Sequence, residues 1–231
     1  MAVARAVPGF HPPRQERSRV TVERIVRATQ ELLAEGGPDT VTVEQIVARA
    51  DSSVGSFYAR FEDRAVAIRY AERRFWDDIE RRWDEYLDPD SWVERSALEI
   101  VARIVRDLVR AMMADRSSLR AFHVQALLDP EAGLAERTAA LDRRIARDVA
   151  ALLQAADARI ADGQPEWRAE AGFARVLGAV RDADVFGEGS PESDRRLVLS
   201  LVGMYGASLG LEGLPRSWPE LLALCRPVRR E

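Results

Sequence analysis

Thr42, Ser52, Ser53, Ser56, Tyr58, Arg60 and Arg64 put hydroxyls, a phenol and two guanidiniums into one short stretch. Such donors suit a phosphate backbone, and the small residues Gly55 and Ala59 among them leave room for base edges to come close. The same residue types do not assemble a reaction centre. The chain has no Walker loop, dinucleotide-type glycine turn, nucleophile elbow, HExxH or CxxC. Its two histidines, His11 and His123, are too few for a His-rich metal site. Its carboxylates sit at helical spacing beside arginines, as on a solvated face. Neither an enzyme nor a cofactor or metal site is therefore expected.

Local signals say which elements must carry these residues. Thr42 is a good N-cap, with Gln45 three residues on to close a capping box, and Val41 with Ile46 forms a hydrophobic staple. Val43, Ile46, Val47 and Ala50 keep helical spacing until Asp51, a residue type that tolerates the left-handed conformation of a tight turn. Ser53 caps the next helix, where Phe57 and Phe61 share the inner face. Gly55, Ser56 and Ala59 then occupy the outer face, flanked by Tyr58 and Arg60. Upstream, Val22, Ile25, Val26, Thr29, Leu32 and Leu33 predict a support helix over about 18–35, stopped by Gly36, Gly37 and Pro38. Downstream, Asp63 caps a fourth helix reaching to about Leu87. Two short helices about a tight turn on a supporting helix describe a DNA-reading helix-turn-helix.

From Ala50 the run A-x-S-S-x-G-S-F-Y-x-x-F-x-D-R resembles the DNA-binding domain of the tetracycline-repressor (TetR) family, over about Arg17 to Ala67. Four positions depart from the family pattern: Asp51 for Gly, Ser52 for Val, Arg60 for His and Arg64 for Lys. Both arginines keep a donor that reaches phosphate, although Arg and Lys are not equivalent. The resemblance places the start of the fourth helix at the DNA backbone. Pro8, Gly9, Pro12 and Pro13 without sustained periodicity predict a flexible arm over 1–16. The resemblance implies a helix-turn-helix domain over 17–67 and a ligand-binding and dimerisation domain over 68–231. It also implies a homodimer joined through 166–186 and 192–211 into a four-helix interface, and a small apolar or amphiphilic effector that releases the protein from a palindromic double-stranded operator. Thr42, Ser53, Ser56, Tyr58, Arg60 and Arg64 are the expected phosphate and register contacts, with Ser52, Gly55 and Ala59 near base edges.

The rest of the chain reads as further amphipathic helices without strand-like alternation, an all-α protein whose three-helix head precedes a larger bundle. Ser91 with Glu94 predicts the cap of a central helix rich in Ile, Val and Leu. A helix over Ser117–Leu128 follows, and Asp129-Pro130 is expected to open a long one ended by Gly163-Gln164-Pro165. Gly203, Gly206 and Gly210 predict close helix approach or a cavity in the penultimate helix, and Ser217 with Glu220 caps the last. Trp76, Trp83, Met112, Met113, Phe122, His123, Trp167, Phe173 and Tyr205 are the candidate effector lining, with Arg103, Gln125 or Arg175 as polar anchors. Aromatic and Met residues at this spacing also suit a plain core.

Net charge is −4, and residues 1–64 hold nine Arg against nine Asp plus Glu, so broad nucleic-acid coating is disfavoured and a local footprint expected. No apolar run is long enough to span a membrane, and the lone Cys225 fits a reducing cytoplasm. Two other readings stay open. One is a helical regulator controlled by a protein partner; the other is a ligand-binding scaffold whose head no longer binds DNA.

Overall fold

The computed structural model describes residues 7–114, 116–128, 133–157, 160, 167–186 and 190–226, with backbone only for 125–128 and 184–186. The described residues form ten α-helices and no strand: α1 Glu16–Gly36, α2 Val43–Arg49, α3 Val54–Tyr58, α4 Arg64–Tyr86, α5 Ala97–Ala114, α6 Arg116–Leu128, α7 Leu134–Ala156, α8 Trp167–Phe186, α9 Pro191–Ser208 and α10 Trp218–Leu224. The all-α expectation holds. Asp129-Pro130 and Gly163-Gln164-Pro165 lie outside the described residues. The long helix they were expected to bound starts at Leu134, after left-handed Gly133, and stops before extended Asp157.

Two compact units emerge. The first comprises Met1–Arg81 and Ser117–Gln125. Its core is the predicted one: Val22, Ile25, Val26, Leu32 and Leu33 of α1 are buried, as are Val43, Ile46 and Val47 of α2 and Phe57 of α3. Thr29 is buried without penalty because its hydroxyl donates to the Ile25 carbonyl at 2.8 Å. Gly37 ends α1 in a positive-φ conformation and donates its N–H to Leu33 O. Guanidinium–carboxylate pairs brace α1 against its neighbours: Arg49 forks onto Glu35 at 2.8 and 3.0 Å, and Arg74 onto Glu23 at 3.0 and 3.3 Å. The Arg49 guanidinium holds the Glu35 carboxyl below its ordinary value. Exposed pairs of this kind set orientation more than stability.

The flexible arm expected over 1–16 is corrected for its described part. Val7 to His11 docks on the corner between α3 and α4. His11 N–H donates to Arg60 O at 2.8 Å, and Glu62 N–H donates to Gly9 O at 3.0 Å. Phe10 stacks on Tyr70 with centroids 4.0 Å apart and meets Phe61 at 5.3 Å. Gly9 is required here. Its φ is +83°, and an added Cβ would lie 2.7 Å from a Val66 methyl. One aromatic residue between prolines offers no periodicity, so the sequence pattern could not show that Phe10 finds two rings.

The second unit comprises Arg82–Arg116 and Ala126–Glu231. The central helix is α5, which buries Ile100, Val101, Ile104, Val105, Leu108 and Val109 and packs against α7, α8, α9 and α10. Its cap is not Ser91 with Glu94. Trp92 is buried, with its indole N–H on Tyr86 O at 2.9 Å, and Glu94 takes a positive φ. The box closes five residues later, where Ser96 N–H and Oγ both donate to Glu99 at 2.9 Å and Glu99 N–H returns to Ser96 Oγ. Both pairs fit the sequence signature; burial of the tryptophan selects the second.

The glycines of α9 divide three ways. Gly206 faces Leu214, which an added Cβ would meet at 2.4 Å, whereas a Cβ on Gly203 would meet nothing within 4 Å. Gly210 lies beyond the helix at φ 71°. The tightest approach between α8 and α9 falls on Gly172, where a Cβ would lie 2.6 Å from the Tyr205 ring. Ser190 and Ser193 cap α9 reciprocally, and Ser217 donates to Glu220 at the start of α10.

Candidate nucleic-acid interface

The capping box that starts α2 is present as expected: Gln45 N–H donates to Thr42 Oγ1 at 3.2 Å, and Thr42 N–H donates to Gln45 Oε1 at 2.8 Å. With both groups exposed, the box fixes the first turn of α2. Asp51 makes the turn at φ 44°, left-handed without glycine, and its carboxylate accepts from Arg24 at 3.3 Å. Ser53 caps α3 by accepting from Ser56 N–H at 3.1 Å, and the two serine hydroxyls share a hydrogen bond at 2.9 Å. Phe57 and Phe61 are fully buried and hold the inner face of α3.

The outer face carries Gly55, Tyr58 and Ala59, all exposed. Tyr58 is 52% exposed, its ring edge-on to Phe57 at 5.3 Å. No packing demands glycine at 55, since an added Cβ would meet only Ser53 Oγ at 4.0 Å. Ser56 and Arg60 are half-buried.

Two expected contacts change. Ser52 does not turn its hydroxyl toward a base edge; Oγ is buried and has no hydrogen-bond partner among the described atoms. The short turn explains this, because Ser52 N–H reaches back to Val47 O at 2.9 Å and rolls the residue inward. Arg64 is exposed but already engaged. Its Nη1 donates to the carbonyls of Pro38 and Val41 at 2.8 Å each, tying the start of α4 to the segment that leads into α2. Asp63 caps α4 through Val66 N–H at 2.7 Å.

Sequence reasoning missed Val54 at the start of α3, an apolar β-branched residue 46% exposed. The sequence held a signal: Val54 lies four residues before Tyr58, hence on the same helical face. It also missed Phe10, for which no signal existed.

The nine residues expected to line an effector pocket are shared between the two units. Trp76, Phe122 and His123 belong to the first unit; Trp83, Met112, Met113, Trp167, Phe173 and Tyr205 belong to the second. Trp167 is 59% exposed, because it opens α8 before the helix meets its neighbours. Tyr205 is fully buried, donates its hydroxyl to Ala169 O at 2.8 Å and joins α8 to α9; burial holds its phenol protonated well above the ordinary range. Phe173 is fully buried beside it. Of the polar anchors, Arg103 pairs with Asp107 at 3.8 Å and lies over the Trp92 ring, while exposed Arg175 reaches back toward Ala171 O. The side chain of Gln125 lies outside the described residues.

In the first unit α4 and α6 form an aromatic cluster. Phe75 stacks on Phe122 at 4.3 Å, and Trp76 meets His123 at 5.2 Å. The Trp76 indole N–H is buried with no acceptor among the described atoms. Cys225 is buried in the second unit, and burial pushes its thiol up, which makes it a poor nucleophile. No helix among the described residues is long and apolar enough to cross a membrane, and none of their His, Cys, Asp and Glu side chains cluster as a metal site would.

Residues 25–66 match the family model of bacterial regulatory proteins of the tetR family, spanning the helix-turn-helix just described. No curated protein sequence matches the chain. Among solved structures, Salmonella enterica GusR superposes with a TM-score of 0.55 at 18% identity, covering 82% of this chain and 95% of GusR. At that identity the likeness speaks for the fold alone. Residues 25–66, with this motif, this capped turn and this exposed third helix, thus form a head of the kind found in bacterial regulatory proteins of the tetR family.

Proposed function

We propose that the protein is a dimeric repressor that leaves a roughly palindromic operator when a small apolar or amphiphilic effector binds. Two heads enter successive major grooves about one helical turn apart or slightly more. The observation that carries this reading is the outer face of α3. Gly55, Tyr58 and Ala59 are exposed there, and an added Cβ at Gly55 would meet only Ser53 Oγ, at 4.0 Å, among the described residues.

Thr42 and Tyr58 hold phosphates, with Ser53, Ser56 and Arg60 setting register and Gly55 and Ala59 near base edges. Arg64 contributes by fixing α4 against the Pro38–Val41 segment, and its remaining guanidinium nitrogens reach the backbone. The division of labour at about residue 67 is functional; packing of the first unit continues to Arg81. Dimerisation through 166–186 and 192–211 is supported by exposed Trp167 and Met204 and by half-buried Gly178 and Gly203 on α8 and α9, where an added Cβ would meet nothing within 4 Å. A pair of helices with open glycines accepts a second pair closely.

The effector reading is supported by the buried Trp76 N–H, which an acceptor on an otherwise apolar ligand would satisfy. Trp76 and Arg64 lie on the same helix, so a ligand displacing Trp76 shifts the helix end that holds the head. A coupling of about 1–3 kcal/mol suffices to change occupancy.

The test of DNA binding is a gel shift on the chain's own promoter region with Tyr58→Ala, whose melting temperature is measured alongside. Affinity should fall roughly tenfold or more, the order expected for one charge-assisted hydrogen bond. Unchanged affinity in the folded variant defeats the assignment. For the effector, tryptophan fluorescence should saturate with an apolar ligand and lose that response in Trp76→Phe. No saturable response across an apolar panel favours control by a protein partner.

A further inference from the structure

The face that α3 shows to solvent says which base it can read. In the major groove guanine is read by Arg or Lys, adenine by Asn or Gln and cytosine by a carboxylate, whereas the 5-methyl group of thymine is read by apolar contact. Val54–Tyr58 has the sequence Val-Gly-Ser-Phe-Tyr, which contains no member of the first three classes. Its hydroxyls are committed nearby, since Ser53 and Ser56 bond each other at 2.9 Å while Ser53 caps the helix. Phe57 is buried, and Tyr58 presents a phenol suited to phosphate.

What remains is Val54. It is 46% exposed, on the face it shares with Tyr58. A β-branched residue is less favourable than alanine in a helix, and nearly half of this one stays exposed. Next to it Gly55 has open space where a side chain would stand, so the backbone of α3 can come close to whatever Val54 touches.

We infer that Val54 is a base-reading residue whose methyls pack on the 5-methyl group of a thymine, so that each operator half-site carries a thymine under the start of α3. This rests on the DNA-binding reading above and adds the chemical class of base that the helix selects.

The experiment starts from duplexes that the full-length protein enriches from a random pool. In an enriched duplex each thymine is replaced, one at a time, by deoxyuridine, which pairs identically and lacks only the methyl. One position per half-site should weaken binding about fourfold, and replacement in both half-sites roughly fifteenfold, from the usual value of a buried methyl. Val54→Ala, which keeps its melting temperature because the side chain is exposed, should bind the thymine duplex weakly and be indifferent to deoxyuridine at that position. Val54→Thr, which keeps one methyl, should retain a sensitivity of about twofold.

Enriched duplexes in which no thymine responds to deoxyuridine overturn the inference and leave DNA binding intact. Full deoxyuridine sensitivity in Val54→Ala likewise removes the role from Val54. Failure to enrich any duplex overturns the DNA-binding reading itself, and this inference with it.

Discussion

The recognition face of α3 and the aromatic positions of the second unit make opposite use of their side chains. On α3, Gly55 and Tyr58 are exposed and have little to do within the protomer. In the second unit, Phe173 and Tyr205 are fully buried, and the Tyr205 hydroxyl is satisfied by Ala169. A residue that folding does not need and that is nonetheless costly to display points outward to a partner. A residue whose burial and hydrogen bonds are complete is accounted for by the core, whatever its chemical type. By the same criterion Trp167 is exposed on the protein surface, while the Trp76 indole N–H is buried with no acceptor among the described atoms.

The largest effect that would sharpen this contrast is expected at Phe10, which is half-buried and belongs to neither class. Phe10→Ala removes the contacts with Tyr70 and Phe61 and should destabilise the first unit by about 1–2 kcal/mol, given the partly buried area lost. Hydrogen exchange should locate the loss, with the Glu62 amide, bonded to Gly9 O, exchanging faster than the amides of α1. Equal exchange in variant and parent would mean that the docked segment does not brace the corner.

A smaller effect is expected at Tyr205. Tyr205→Phe leaves the Ala169 carbonyl without that donor and should cost about 1 kcal/mol in urea denaturation, with fluorescence titration by apolar ligands unchanged. If stability is kept while the ligand response is lost, Tyr205 is a binding residue and the contrast between the two regions fails.

The smallest effect carries the opposite sign. Gly55→Ala should stabilise the head by roughly 0.5–1 kcal/mol, because alanine is the better helix former and its methyl enters open space. The same methyl should weaken binding to the promoter duplex by obstructing close approach. A variant that gains stability and keeps full affinity would show that the face does not lie against DNA.

Much of the head was legible because its signals are local. Thr42 with Gln45, the Asp51 turn, the Ser53 and Asp63 caps and the Phe57–Phe61 pair each depend on residues within four positions of one another, so spacing alone encodes them. Where two local signals competed, spacing could not choose. Ser91 with Glu94 and Ser96 with Glu99 fit the same box, and only the burial of Trp92 excludes the first. The glycines show the same limit: Gly203, Gly206 and Gly210 stood out by spacing, yet the closest approach between α8 and α9 fell on Gly172, since which glycine meets a ring depends on a second helix.

The sequence by itself determined the helical class, the capped turn, the support helix and the motif that ties the head to its family, all of them consequences of short-range periodicity and capping. Tertiary structure decided what each exposed or buried side chain is free to do. It turned the Ser52 hydroxyl inward, engaged Arg64 with two carbonyls, docked Phe10 on Tyr70 and left Val54 facing solvent. Those outcomes depend on contacts between residues far apart in the chain, and a linear pattern does not record which distant surface will come to rest against a given side chain.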